Sequence, residues 1–198
     1  METIGFIGLG TIGGAIAGNL LAAGYPMMVY DIRPEAMRLL IARGACSGAS
    51  AAEVARRCPM VFTSLPGPPE VEQVALGPTG LLQGVHEDSL YVDLSSSDAD
   101  LIRRIEREFC PRGARVMDAP LIVGKNGIAN RSVQVLASGS RQTFDAVKSV
   151  LDAFGDTVVY TGELGTGTVI KLAHNLVRRG VGLAIGEGLV LGTKAGAD

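Results

Sequence analysis

Gly8-Leu9-Gly10-Thr11-Ile12-Gly13 places three glycines at the first, third and sixth positions of a run that opens directly into a helical pattern. The first glycine permits a tight turn, the second lets backbone approach a diphosphate, and the third lets the helix pack closely on a strand. Thr11 and Ile12 then lie in the first helical turn, whose unpaired N–H groups can hold a phosphate. The same run would also serve as a plain strand-to-helix connection. What favours a dinucleotide is Asp31, which closes an apolar Met27–Tyr30 segment 18 residues beyond Gly13, near the ~20 expected of a carboxylate that binds a ribose diol. That charge would repel a 2′-phosphate, so NAD is expected in preference to NADP. Arg33 pulls the other way if it meets a phosphate or stacks on adenine, or it is a solvated surface arginine.

Farther along, Lys171 and Asn175 are four residues apart and share a face of one long helical pattern. Flanked by Ile170 and Leu172, Lys171 could be partly desolvated, which lowers a lysine pKa toward values useful for proton transfer; the alternative is an ordinary surface lysine. His174 is read as packing or capping, and His86 lies in a polar loop. Tyr30, Tyr91 and Tyr160 fall near strand ends and receive no role.

Short apolar runs and helical patterns alternate in a way that would position these groups. Thr3–Ile7, Met27–Tyr30, Met60–Ser64, Leu90–Leu94 and Arg115–Asp118 read as strands, several apolar throughout, as in parallel sheets buried on both faces. Ile12–Ala23, Ala36–Arg43, Ser50–Arg57 and Ala99–Phe109 read as crossover helices. Ser132–Ala137, a helical Arg141–Phe154 and Thr157–Tyr160 would extend the same sheet. The expected fold is α/β, a Rossmann-like, doubly wound, mainly parallel sheet followed by one long C-terminal helix. A dinucleotide-binding domain is expected over 1–162 and the long helix over 163–198. Prolines, notably Pro66, Pro68 and Pro69, are read as loop punctuation. Six glycines between Gly167 and Gly192 each weaken a helix by ~1 kcal/mol relative to alanine, so close packing is expected along it.

Composition excludes several classes. Eighteen basic against twenty acidic residues give a net charge of −2, which argues against a dedicated nucleic-acid or anionic-membrane surface. Thr3–Tyr30 is 28 residues without a charge, above the ~18 that suggests a membrane span. Its seven glycines, Asn19 and Pro26 make it a poor span, and Met1-Glu2-Thr3 offers no positive leader. Cys46, Cys58 and Cys110 form no paired pattern, so no metal site is expected. They are read as small core residues of a cytoplasmic protein.

Gly5-Phe6-Ile7-Gly8-Leu9-Gly10-Thr11-Ile12-Gly13 resembles the opening signature of the β-hydroxyacid dehydrogenases, the family of 3-hydroxyisobutyrate dehydrogenase, tartronate semialdehyde reductase and 6-phosphogluconate dehydrogenase. The resemblance continues in order through Leu65-Pro66, Val92-Asp93-Leu94-Ser95-Ser96, Asp118-Ala119-Pro120 and the segment from Gly165 to Asn175, covering nearly the whole chain. It implies that Leu65, Pro66 and Ser96 meet the nicotinamide end of the cofactor. Ser95, Ile122, Gly124, Lys171 and Asn175 would face a small hydroxy acid or semialdehyde. Lys171 would exchange a proton with the substrate oxygen while Asn175 orients it.

Two departures stand out. Where the family usually reads Asp-Ala-Pro-Val-Ser-Gly-Gly, this chain reads Asp118-Ala119-Pro120-Leu121-Ile122-Val123-Gly124, so Ile122 replaces a serine that would bond a substrate carboxylate. Arg131 or Lys125 could supply a compensating charge. The family also carries an all-helical domain after the long helix, whereas this sequence stops at Asp198; a homo-oligomer through the helix, or a longer polypeptide, is expected to cover its apolar surface. An NAD-dependent oxidoreductase is the leading expectation. The alternatives are a cofactor-binding module without catalysis of its own, and a reductase of a less polar carbonyl or imine.

Overall fold

The computed structural model describes residues 2–197. Its frame is a nine-stranded sheet. Six parallel strands, β1 (Ile4–Ile7), β2 (Met27–Tyr30), β3 (Cys46–Ser47), β4 (Met60–Thr63), β5 (Leu90–Asp93) and β6 (Arg115–Asp118), lie in the order β3-β2-β1-β4-β5-β6. β8 (Val133–Ser138) then pairs antiparallel with the end of β6 and with β7 (Leu121–Val123), which continues β6 beyond Pro120. β9 (Thr157–Gly162) closes the edge parallel to β8. The observed order is that of dinucleotide-binding folds, with its reversal between β1 and β4.

Period-2 alternation explains how the sheet buries both faces. Phe6, Phe62, Val92 and Met117 point to one side, against α1 (Thr11–Ala22), α2 (Pro34–Ala42) and α6 (Arg141–Asp152). Their neighbours Ile7, Val61, Tyr91 and Val116 point to the other, against α3 (Ala51–Arg57), α4 (Pro68–Leu76) and α5 (Ala99–Phe109). Ser50, Asp98 and Ser140 start α3, α5 and α6 by accepting from backbone N–H groups of the first turn.

Four expectations need correction. Pro68 and Pro69 open α4 instead of interrupting a loop, because proline at the first helical positions forfeits no hydrogen bond. β3 and β7, two and three residues long, are too short to leave a periodic signal. Only Cys58 is a core cysteine, its thiol pushed up to about 11 by burial, whereas Cys46 and Cys110 are exposed. The fourth concerns α7 (Thr166–Lys194), a 29-residue helix. Gly167 packs against the sheet, where a Cβ would lie 2.2 Å from the Leu136 carbonyl, but Gly180, Gly182, Gly186 and Gly188 meet nothing within 4 Å. Leu176, Leu183 and Leu191 are more than 70 % exposed. Even so, among the described residues no helix is long and apolar enough to cross a membrane.

Candidate active site

A cleft of about 1080 Å³ opens at the C-terminal ends of β1, β4 and β5, at the point where the strand order reverses. One wall is the glycine-rich turn. Gly8 holds φ +87°, a left-handed conformation that suits glycine, and a Cβ on Gly13 would fall 1.9 Å from the Gly8 carbonyl oxygen. Above Gly10 there is nothing within 4 Å, and no side chain caps α1, so its first-turn N–H groups are left for a ligand. The turn therefore fits a dinucleotide diphosphate: two glycines are demanded by the chain's own packing, and the third keeps open the space the ligand needs.

Asp31 is buried at the tip of β2 and lines the same cleft. Its Oδ2 accepts from Leu9 N–H at 2.7 Å, and its Oδ1 accepts from Arg33 N–H at 2.9 Å. The carboxylate thus ties the glycine-rich turn to the loop after β2. Each oxygen can accept two bonds, which leaves Oδ2 capacity for a ribose hydroxyl. Arg33 leans on Asp31 at 3.4 Å with its side chain 58 % exposed.

Beyond the reversal, Leu65, Pro66, Ser95 and Ser96 line the cleft from the loops after β4 and β5. What joins these loops is Asp93, which motif reading passed over. Its Oδ1 accepts from Thr63 Oγ1 at 2.8 Å, Ser95 Oγ at 2.6 Å and Ser95 N–H at 3.1 Å, and Ser95 Oγ in turn accepts from Leu65 N–H at 2.9 Å. Because Thr63 donates its only hydroxyl proton to Asp93, Tyr91 OH must donate to Thr63 across their 3.0 Å contact. Asp93 Oδ2 is buried with no partner among the described residues. Burial pushes the carboxyl up to about 6, the bonds from Ser95 and Thr63 oppose this, and the charge of Asp118 adds to it.

The folded chain therefore binds this proton more tightly than the unfolded chain, whose ordinary value is 3.8. Stability contributed here is full below about pH 4 and falls as pH rises to about 6, by on the order of 3 kcal/mol. Urea unfolding of the native chain and of Asp93→Asn from pH 3.5 to 7 should show the variant gaining by about that amount relative to the native chain. A gap that stays constant with pH would rule out native-state protonation of Asp93.

The last wall combines β7 and α7. Asp118, the register partner of Asp93 on β6, is 1 % exposed and accepts from Gly165 and Thr168 N–H at 2.8 Å each and from Ser138 Oγ. Ser138 Oγ accepts from Gly165 and Gly167 N–H at 3.1 Å. A carboxylate on the positive end of α7 is favourably placed, and it fixes the helix one turn before Lys171. Lys171, His174, Asn175 and Arg178 project from α7 into the cleft, facing Leu121, Ile122 and Val123. Half-burial lowers the Lys171 pKa below its ordinary range, and the charge of Arg178 lowers it further.

The structure brings together Gly8, Gly10, Thr11, Ile12, Gly13, Asp31, Arg33, Leu65, Pro66, Ser95, Ser96, Ile122, Lys171 and Asn175 around one cavity. Gly124 is not on its wall; it is pinned against Ser132, whose Oγ a Cβ would meet at 2.3 Å. Neither Lys125 nor Arg131 lines the cleft, and Arg131 instead donates to the carbonyls of Asp152 and Gly155. Among the cleft residues that escaped the sequence reading are Tyr30, His174 and Arg178. Tyr30 sits at the strand end beside Asp31. His174, assigned above to packing or capping, is only about 60° around the helix from Lys171, and its Nδ1 is buried without a partner among the described residues.

Fold and cleft together define an α/β protein of the dinucleotide-binding type. Residues 3–162 match the family model of the NAD binding domain of 6-phosphogluconate dehydrogenase, and the chain belongs to that family. It is 34% identical over 197 residues to a probable mitochondrial 3-hydroxyisobutyrate dehydrogenase of Dictyostelium discoideum, covering 100% of this chain and 61% of that one. It is 35% identical over 196 residues to the cytokine-like nuclear factor N-PAC of Pongo abelii, covering 98% of this chain and 35% of that one. The chain thus spans about a third to three fifths of the length of these relatives. Among solved structures, Mycobacterium tuberculosis 3-hydroxyisobutyrate dehydrogenase with L-serine superposes with a TM-score of 0.90 at 28% identity, covering 100% of this chain and 67% of that one.

Proposed function

We propose that the chain is the cofactor-binding and proton-transfer part of an NAD-dependent oxidoreductase acting on a small 3-hydroxy acid or its semialdehyde. The observation that carries this reading is one continuous cleft lined by the glycine-rich turn and Asp31 on one side and by Lys171 and Asn175 on the other. Held beside Leu65, Pro66 and Ser96, a bound nicotinamide would supply hydride transfer to or from the substrate carbon. Lys171 takes the hydroxyl proton at Nζ during oxidation and gives it back to the carbonyl oxygen during reduction. Asn175, one turn on, holds that oxygen within reach of Nζ. Leu65 and Pro66 present an apolar surface that keeps water from the reacting carbon.

Fluorescence titration with NADH and NADPH, followed by assay of 3-hydroxyisobutyrate oxidation, tests the reading. NADH should bind more tightly than NADPH, and Asp31→Ala should lose NADH binding while retaining a cooperative thermal transition. Unchanged NADH affinity in that variant would remove Asp31 from the site. A second reading, a module that binds cofactor without turning it over, draws on the likeness to a protein named as a nuclear factor; NADH binding with no turnover of any small hydroxy acid or semialdehyde would establish it. The apolar Ile122 and Val123 on the cleft wall favour a less polar carbonyl or imine as a further substrate class.

A further inference from the structure

We infer that Arg178 is the fixed cation that holds the carboxylate of the substrate, taking over from the hydroxyl donor that Ile122 lacks. The inference deepens the oxidoreductase reading and rests on it. On the walls supplied by α7 and β7, Lys171 and Arg178 are the only charged lining residues, and both are positive; Glu70 lines the cleft from α4. Arg178 has no carboxylate within 4 Å among the described residues, so its charge is free for a ligand.

Helix geometry places it well. Seven residues are nearly two turns, so Arg178 lies about 20° round from Lys171 and about 10 Å farther along α7, with Asn175 between them. Long helical side chains lean toward the helix N-terminus, which carries the guanidinium back over the turn that bears Asn175. The charge of Arg178 disfavours the protonated form of Lys171, second to burial. Arg179, the adjacent position, is absent from the cleft wall.

The chemistry divides the work between the two cations. Lys171 has to give up its proton in each cycle, so it is a poor permanent anchor for an anion. A guanidinium keeps its charge throughout and offers a planar pair of donors matched to a carboxylate. The apolar Ile122 and Val123 then face the carbon skeleton. A cofactor phosphate is the less suitable anion here, because the diphosphate cradle belongs to the turn after β1, on a different wall.

Calorimetric titration of the full chain in saturating NADH tests this with 3-hydroxypropanoate and its neutral methyl ester, a combination in which no hydride can move. The native chain should prefer the acid. Arg178→Ala should weaken acid binding by about tenfold to a hundredfold and leave the ester unchanged, Arg178→Lys should weaken it less, and Arg179→Ala should have no effect. Equal losses in Arg178→Ala and Arg179→Ala, or a native chain that binds acid no better than ester, would overturn the inference. NADH affinity, read in the same samples, separates the two failures: retained NADH binding without Arg178-dependent acid selectivity sinks the Arg178 role alone, whereas a native chain that binds no NADH sinks the oxidoreductase reading.

Discussion

Lys171→Ala is expected to lower turnover by about 10²- to 10⁴-fold, the range that a positioned general acid or base contributes, while NADH affinity stays nearly unchanged. The second half of that expectation follows from placement. Lys171 stands on α7, whereas the cradle is built from Gly8, Gly10, Gly13 and Asp31 at the ends of β1 and β2. Lys171→Arg separates proton transfer from simple charge, since a guanidinium holds its proton and cannot act as the base; it should be nearly as inactive as alanine. The pH profile of oxidation by the native chain should rise with pH as Lys171 deprotonates. Its inflection should lie below that of a solvated lysine, because burial and then Arg178 disfavour the charged form. Stopped-flow rates across pH, with NADH titrations of each variant, check all of this. Substantial turnover by Lys171→Arg would show that Lys171 supplies charge and not a proton.

Residues whose roles depend on local geometry were legible from sequence. Gly8 and Gly13 are needed for a left-handed φ and for a 1.9 Å approach, and both demands leave a glycine in the sequence at fixed spacing. Asp31 follows from the length of one helix and one strand, and the pairing of Lys171 with Asn175 from one helical turn. Residues whose roles depend on long-range register were not legible. Asp93 and Asp118 meet only because β5 and β6 pair in register, and a carboxylate that ends an apolar strand looks in sequence like any strand boundary. Arg178 lies past the recognisable motif, and nothing before the fold distinguishes it from Arg179. Similarly, the glycines of α7 implied close packing along the whole helix, yet only Gly167 meets the sheet. Small residues mark where a helix can be approached, not whether anything in the same chain approaches it.

Asp118→Ala is expected to lower stability by about 3–5 kcal/mol and to remove turnover with less effect on NADH binding. The alanine leaves Thr168 N–H without its acceptor, leaves Gly165 N–H only the Ser138 hydroxyl at 3.1 Å, and strips Ser138 Oγ of the carboxylate it bonds. Hydrogen bonds to a buried charge contribute ~1.5–3 kcal/mol each, and loss of a carboxylate from the positive end of a helix adds several tenths. Asp118→Asn should recover only part of this, because if its amide oxygen serves Gly165, its amide nitrogen turns a donor toward the Thr168 N–H. The functional consequence follows from where the first turn is held. Gly167 already sits against the Leu136 carbonyl, so once the carboxylate is gone only that packing and the Ser138 hydroxyl, itself stripped of its anchor, are left to set the angle of the helix on the sheet. Lys171 lies three residues past Thr168, and a shift of about 1 Å at a catalytic group can reduce rate 10²-fold. Urea unfolding with parallel measurement of kcat, KM and NADH affinity distinguishes this positioning role from general destabilisation. A fall in kcat that persists well below the urea midpoint, with NADH binding retained, is the expected pattern; native kcat in a destabilised chain would show that α7 keeps its angle without the carboxylate.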